Sequence, residues 1–203
     1  MAVEISPEAR EALHRLTLSV PLGESSALGS SRRGPLRLPV RWTRAENYHV
    51  TLRFLGDLDP DAVDPITADL QTALAEVTPF RVALGGTGCF PPHGAPRVLW
   101  VGIERGDDAL VRVAAQVDLA LAAHGFPPQN PPLSPHVTVG RVNAGRGPAT
   151  LEIARRFLGA PFPALGSTAP EFEVAGVSLI ESRLSPSGPR YFNLAKVAFD
   201  ARS

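Results

Sequence analysis

Two histidines and two threonines carry the chemistry of this chain: His49 and Thr51 in "NYHVTLRFLGDL", and His136 and Thr138 in "SPHVTVGRV". Each set reads His-aliphatic-Thr-aliphatic. On an extended strand, alternate residues share a face, so the imidazole and hydroxyl project together while Val50 and Leu52, or Val137 and Val139, anchor the other side. Their attachment points then lie about 6 to 7 Å apart, close enough to share one small anion. Brought together, two such pairs frame a pocket with an imidazole on either side and a hydroxyl beside each. That is a setting for in-line displacement at phosphorus: one ring deprotonates the attacking water and the other protonates the departing oxygen. Histidine suits both tasks because its ordinary pKa, about 6.5, lets one ring be neutral and the other charged near neutral pH.

Threonine hydroxyls alone do not neutralise charge building on phosphorus, so an arginine is expected on the same face. Strand parity nominates Arg53, two residues beyond Thr51, although an ordinary surface cation fits the same residue. Arg141 falls on the wrong parity from Thr138 unless the strand bulges at Gly140. A further basic run, Arg32, Arg33, Arg37, Arg41 and Arg44, lies between Glu24 and Glu46 with no acid inside it. It reads either as a phosphate-attracting rim or as a solvated loop.

Other chemistries find less support. The single cysteine, Cys89, makes no internal disulfide and no zinc pair. There is no His-Glu-x-x-His, and two histidines do not complete a coordination sphere, so no metal or other cofactor is expected. "GGTGCF" lacks the Lys-Ser/Thr ending of a phosphate loop. His14, His93 and His124 fall in a helix, a proline-rich turn and a helix end, and carry no motif.

The elements around the motifs come from periodicity and punctuation. "AVEI" is a short strand. Ser6-Pro7-Glu8 then provides a cap, a first-turn proline and an acid for a helix to about Leu18. The Gly/Ser/Arg-rich segment 23–37 has no periodicity and leads into "LPVRW" and a motif strand from Tyr48 to Leu55. Asp64-Pro65 opens a helix whose apolar face is Ile66, Leu70, Leu74 and Val77. "FRVALGGTGCF" and "RVLWVGIE" are strands flanking the turn "PPHGAP". Leu110, Val113, Val117 and Leu121 mark a helix from Asp107 to His124, stopped at Gly125. The second motif strand follows, then a helix at "LEIARRFLG" and strands at "FEVAGVSLIESRL" and "RYFNLAKVAF". Strand, helix and motif strand thus occur in each half, offset by 136 − 49 = 87 residues. This is the outline of an internal duplication, with two lobes across a cleft.

Twenty basic and twenty acidic residues cancel, so no overall field holds long nucleic acid, and a nucleotide must be gripped locally. The start has no leader pattern, and runs such as "VLWVGI" are too short to span a bilayer, which sets the expectation of a cytoplasmic protein without a membrane partner.

With "FPPHGAPRVLWVGIE" between the tetrads and "ESRLSPSGPRYFNLAKVAF" after them, nearly the whole chain resembles the 2H phosphoesterase superfamily, and within it the RNA 2′,3′-cyclic phosphodiesterases. The resemblance implies a bilobal α+β duplication spanning 1–203 as a single domain, with two antiparallel sheets facing a central cleft and helices outside. It implies a metal-independent enzyme, expected as a monomer, that opens the 2′,3′-cyclic phosphate of RNA ends or nucleotides to a 2′-phosphate, and in some members joins RNA by a 2′-5′ linkage. Carried over, His49 is the proton donor to O3′, His136 the base, and Thr51 and Thr138 phosphate ligands. The chain departs from that pattern in its short first strand and its long segment 23–37. A non-catalytic module of the same fold, binding nucleotides or RNA ends, is the other reading; the intact tetrads favour the enzyme.

Overall fold

A computed structural model describes residues 1–20, 40–142, 148–164, 167–185 and 188–200. The segment 23–37, with Arg32, Arg33 and Arg37, lies outside the described residues. In chain order the elements are β1 (Ala2–Glu4), α1 (Pro7–Ser19), β2 (Val40–Trp42), β3 (His49–Thr51), α2 (Val63–Ala73), β4 (Phe80–Phe90), β5 (Val98–Arg105), α3 (Asp107–Ala122), β6 (His136–Val142), α4 (Pro148–Gly159), β7 (Glu171–Val174), β8 (Gly176–Ser185) and β9 (Gly188–Ala198).

The helices form where the sequence caps and patterns them. Ser6 accepts a hydrogen bond from the Ala9 amide at 3.2 Å, Pro7 occupies the first turn, and α1 buries Ala9, Leu13 and Leu16. In α3 the buried positions include Leu110, Val113, Val117 and Leu121, the expected stripe. Gly125, at φ +82°, turns the chain beyond it.

The strands run in the order β7-β4-β5-β6-β3-β1-β8-β9, with β2 beside β6, and every described pairing is antiparallel. The expected two sheets are therefore one curled sheet, because β3 and β6 pair at Val50 and Val137. That bridge is the centre of the duplication: β5-β6 on one side matches β1-β3 on the other. Val50, Val137, Val139, Leu99 and Val101 are fully buried in the core shared with the helices, which leaves the opposite face for polar groups. Among the described residues, no helix is long and apolar enough to cross a membrane.

Two expected strands are cut differently. The first motif strand stops at Thr51 because the Leu52 and Arg53 amides both donate to the Met1 carbonyl, at 3.0 and 3.2 Å, and bend the chain off the ladder. "FEVAGVSLIESRL" divides at Ala175: β7 pairs with β4 and β8 with β1, so the chain changes halves there.

Candidate active site

The single bridge between β3 and β6 determines the site. Continuing its antiparallel register one residue each way from Val50–Val137 sets His49 opposite Thr138 and Thr51 opposite His136. All four share the face that Val50 and Val137 leave. The histidines are diagonal neighbours, with backbones about 7 to 8 Å apart.

Both rings are held in one tautomer by the same device. His49 Nδ1 lies 2.8 Å from the Asn47 carbonyl and His136 Nδ1 2.8 Å from the Ser134 carbonyl. A carbonyl only accepts, so each Nδ1 carries the proton, and in the neutral ring each Nε2 has its lone pair free. The Thr51 hydroxyl stands 3.0 Å from His49 Nε2 and donates to it in that state. Edge-on aromatic rings fix the imidazole planes: Tyr191 at 5.2 Å from His49 and Phe90 at 5.1 Å from His136, with Trp100 at 6.0 Å from His136. Trp100 reaches this position across its cross-strand partner Gly88, where a Cβ would come within 2.1 Å of the indole.

Burial holds both imidazoles below their ordinary pKa, because it penalises the charged form. For His49 the Asn47 carbonyl bond works the other way, while the charges of the chain's N-terminal amine, His136 and Arg10 add to the lowering. For His136 the Ser134 carbonyl opposes the desolvation. In the empty site both rings are therefore neutral at pH 7, and an arriving anion favours recharging one of them.

Residues 37–185 match the family described as the 2′-5′ RNA ligase superfamily. The chain belongs to this superfamily. Among its relatives are proteins named RNA 2′,3′-cyclic phosphodiesterase from Aeropyrum pernix, 34% identical over 163 residues that cover 79% of this chain and 86% of that one, and from Aquifex aeolicus, 32% identical over 157 residues that cover 77% and 80%. Its structure resembles TT0787 of Thermus thermophilus, with a TM-score of 0.72 and 25% identity over all of this chain and 97% of the other. It also shares the fold of E. coli LigT complexed with 3′-AMP, with a TM-score of 0.67 and 20% identity over 98% of this chain and 95% of that one.

Within this 2′-5′ RNA ligase superfamily fold, four of the six residues singled out from sequence, His49, Thr51, His136 and Thr138, form the central square. Arg53 goes elsewhere, a correction to the parity argument. With β3 ended at Thr51, its guanidinium turns to Asp118, 3.4 Å away on α3, and donates to the Pro127 carbonyl at 2.5 Å. Both ion-pair side chains are largely buried, at 11% and 13% exposure. Gln129 completes this latch: its amide donates to Asp118 and its side chain to the Leu52 carbonyl, at 3.0 and 2.8 Å. The latch fastens the end of the His49 strand to the loop that delivers Ser134 and His136.

Arg141 is placed by the bulge that parity required. Trp100 pairs with Thr138 but Leu99 with Gly140, so Val139 is the extra residue, and Arg141, opposite Val98, returns to the face of Thr138.

Sequence reasoning missed the carbonyls of Asn47 and Ser134 and the rings of Phe90, Trp100 and Tyr191. The carbonyls had a signal, since each precedes its histidine by two residues in both copies. The rings come from distant strands and had none. Glu4 was missed as well: it stands opposite His49 on β1 and accepts from Asn193 at 2.8 Å and Ser178 at 3.4 Å, with Lys196 at 3.5 Å. The Asn193 bond is the leading cause holding its carboxyl below the usual range.

Proposed function

We propose that this chain hydrolyses the 2′,3′-cyclic phosphate at an RNA or nucleotide end to the 2′-phosphate, by two-histidine acid and base catalysis that needs no metal. The observation that carries the reading is the diagonal square, in which two lone-pair-bearing Nε2 atoms and two hydroxyls share one face. A phosphate seated among them receives hydrogen bonds from Thr51 and Thr138. Neutral His136 takes a proton from water through Nε2, and the oxygen so released bonds to phosphorus. The P–O3′ bond breaks, and His49, charged in the presence of the anion, delivers the Nε2 proton to O3′. The products are a 2′-phosphate and a 3′-hydroxyl, and solvent resets the two rings. Arg141 adds positive charge on the Thr138 side. A ribose 5′-hydroxyl in place of the water would be joined through a 2′-5′ linkage by the same transfers.

The test is incubation of metal-stripped protein with a nucleoside 2′,3′-cyclic phosphate and identification of the product isomer by phosphorus NMR. The 2′-phosphate at an undiminished rate is expected. Loss of turnover on stripping, restored by a divalent ion, would sink the mechanism; the 3′-phosphate would change which oxygen leaves.

A further inference from the structure

The aromatic neighbours of the two histidines stand on unequal supports. Phe90 and Trp100, against His136, belong to β4 and β5, interior strands of the sheet. Tyr191, against His49, belongs to β9 at the sheet's edge. Its stretch of β9 pairs with residues 180–185 of β8, and among the described residues that half of β8 has no other strand beside it, since β1 meets β8 at Ser178. A two-stranded ribbon is marginally stable by itself in water, so Tyr191 needs fastening from outside β8 and β9. Two side-chain bonds supply it, one to either side of Tyr191. Asn47 Nδ2 donates to the Pro189 carbonyl at 3.0 Å, and Asn193 Nδ2 donates to Glu4 Oε1 at 2.8 Å. Both tethers reach the ribbon from the surroundings of His49: Asn47 lies two positions before it, and Glu4 is its cross-strand partner on β1. The backbone carbonyl of Asn47 is also the one that fixes His49 Nδ1, and the turn Ala45–Asn47 that presents it is held by Arg10, which donates to the Glu46 carbonyl at 3.2 Å. In the other half the equivalent residue is Ser134. Its carbonyl makes the same bond to His136, but among the described residues its side chain reaches no other strand.

We propose that Asn47 is a positioning residue for His49: its carboxamide holds the β8–β9 ribbon in place so that the Tyr191 ring keeps the imidazole aimed at the departing oxygen, with the Asn193–Glu4 bond as a second tether. The assignment rests on the function proposed above, in which His49 is the acid. An imidazole held through Nδ1 alone still swings about that bond, and the ring edge of Tyr191 removes the freedom. Proton delivery requires Nε2 in line with the P–O3′ bond, so a small misplacement lowers the rate while leaving the phosphate ligands where they are. The two copies of the motif therefore differ at the residue before the tetrad for a physical reason. Serine suffices where interior strands carry the aromatic wall, and asparagine is needed where a ribbon carries it.

Asn47→Ser keeps the backbone carbonyl and gives this half the side chain of the other. On a nucleoside 2′,3′-cyclic phosphate its kcat should fall about tenfold with KM little changed. On the analogue with sulfur at the 3′ position, whose departure needs no acid, it should match the unmodified protein. In a Tyr191→Leu background Asn47→Ser should add no further loss, because both changes remove the same restraint. Asn193→Ala, at an exposed side chain, should repeat the pattern more weakly and decides the matter should Asn47→Ser unfold. An equal loss on the oxygen and sulfur substrates, an undiminished kcat on the oxygen substrate, or a full additional loss in the Tyr191→Leu background would each overturn the proposal. If the unmodified protein turns over no cyclic phosphate, the proposed function fails. The tether is then read from proton NMR: cross-relaxation between the Tyr191 and His49 rings should be lost in Asn47→Ser while that between Phe90 and His136 persists, and its retention would overturn the tether.

Discussion

The surroundings of His49 and of His136 share one part and differ in the rest. Both rings donate Nδ1–H to the carbonyl two residues earlier, and both meet an aromatic edge at nearly the same distance, 5.2 and 5.1 Å. Around His49, however, the neighbours are polar: the Thr51 hydroxyl on Nε2, the Tyr191 ring, Glu4 across the strand pair, and the charge of Arg10. Around His136 they are the apolar rings Phe90 and Trp100, and Nε2 has no protein partner among the described residues. The duplicated part fixes tautomer and direction, which acid and base need alike. The divergent part sets who holds the proton. A ring with an open Nε2 in an apolar wall is suited to receive a proton from water. A ring whose Nε2 already exchanges a hydrogen bond with a hydroxyl is suited to take up a proton as the phosphate arrives and to hold it in line for the departing oxygen.

The largest effect should come from separating the two roles. Removing either imidazole deletes one proton-transfer partner, so His49→Ala and His136→Ala should each lose roughly 10² to 10⁴-fold in kcat on a natural cyclic phosphate. With sulfur replacing O3′ the leaving group needs no proton, and His49→Ala should recover most of its loss while His136→Ala should not. Rescue of His136→Ala instead would reverse the assignment, and rescue of neither would leave both residues as phosphate ligands.

The latch joining the two halves should show next. Removing one partner of a largely buried ion pair leaves the other charge uncompensated, so Arg53→Met or Asp118→Asn should cost about 3 kcal/mol of stability, read from urea denaturation. Because the latch sets where the loop before His136 sits relative to β3, kcat should fall in both variants under conditions where they remain folded, with KM little changed. A drop in affinity for phosphate alone would restore Arg53 as a phosphate ligand.

What could be read from sequence follows the range of the interaction involved. The α3 stripe Leu110, Val113, Val117 and Leu121 is a local period, and the structure buries it as expected. The square of His49, Thr51, His136 and Thr138 was half legible. Alternation along each strand gives the shared face, but only the long-range pairing of Val50 with Val137 makes the histidines diagonal. Arg53 shows how parity fails: the argument holds only while the strand continues, and Met1 ends it at Thr51 by taking the next two amides. Arg141 shows the converse, since a bulge that sequence could name but not establish returned it to the site face. The rings of Phe90, Trp100 and Tyr191 depend on strand order, which no local pattern carries.

The pH profile offers a third way to sharpen the difference between the two histidines. The proposed mechanism needs His49 charged and His136 neutral, and burial lowers both pKa values from about 6.5 in the free protein. The profile of kcat/KM should therefore peak below pH 6.5, falling about tenfold per unit on the alkaline side as His49 loses its proton and on the acid side as His136 gains one. Bound anion raises the His49 value, so the alkaline limb of kcat should lie at higher pH than that of kcat/KM. The same shifts make stability rise with pH. Each ring binds its proton more readily unfolded than folded, so the contribution is complete above about pH 6.5 and is lost as pH falls through the folded values. A kcat/KM maximum on the alkaline side of neutrality would contradict the buried, neutral state of the two rings.

The smallest effects, and the finest distinction, belong to the threonines. Valine keeps the shape and strand preference of threonine and removes only the hydroxyl, so Thr51→Val and Thr138→Val should fold normally. Each loses one hydrogen bond to a charged phosphate, and about tenfold in kcat/KM is expected for either. The two should nevertheless differ in kind. The Thr138 hydroxyl has no partner among the described residues and has only the phosphate to serve, so its loss should leave the shape of the pH profile unchanged. The Thr51 hydroxyl also lies 3.0 Å from His49 Nε2, the atom that carries the transferred proton in the proposed mechanism. Its loss should displace the alkaline limb that reports His49 as well as lower the rate. Identical profiles in the two variants would mean that the Thr51–His49 bond does not survive in the working enzyme, and that the two halves of the square differ only in the rings around them.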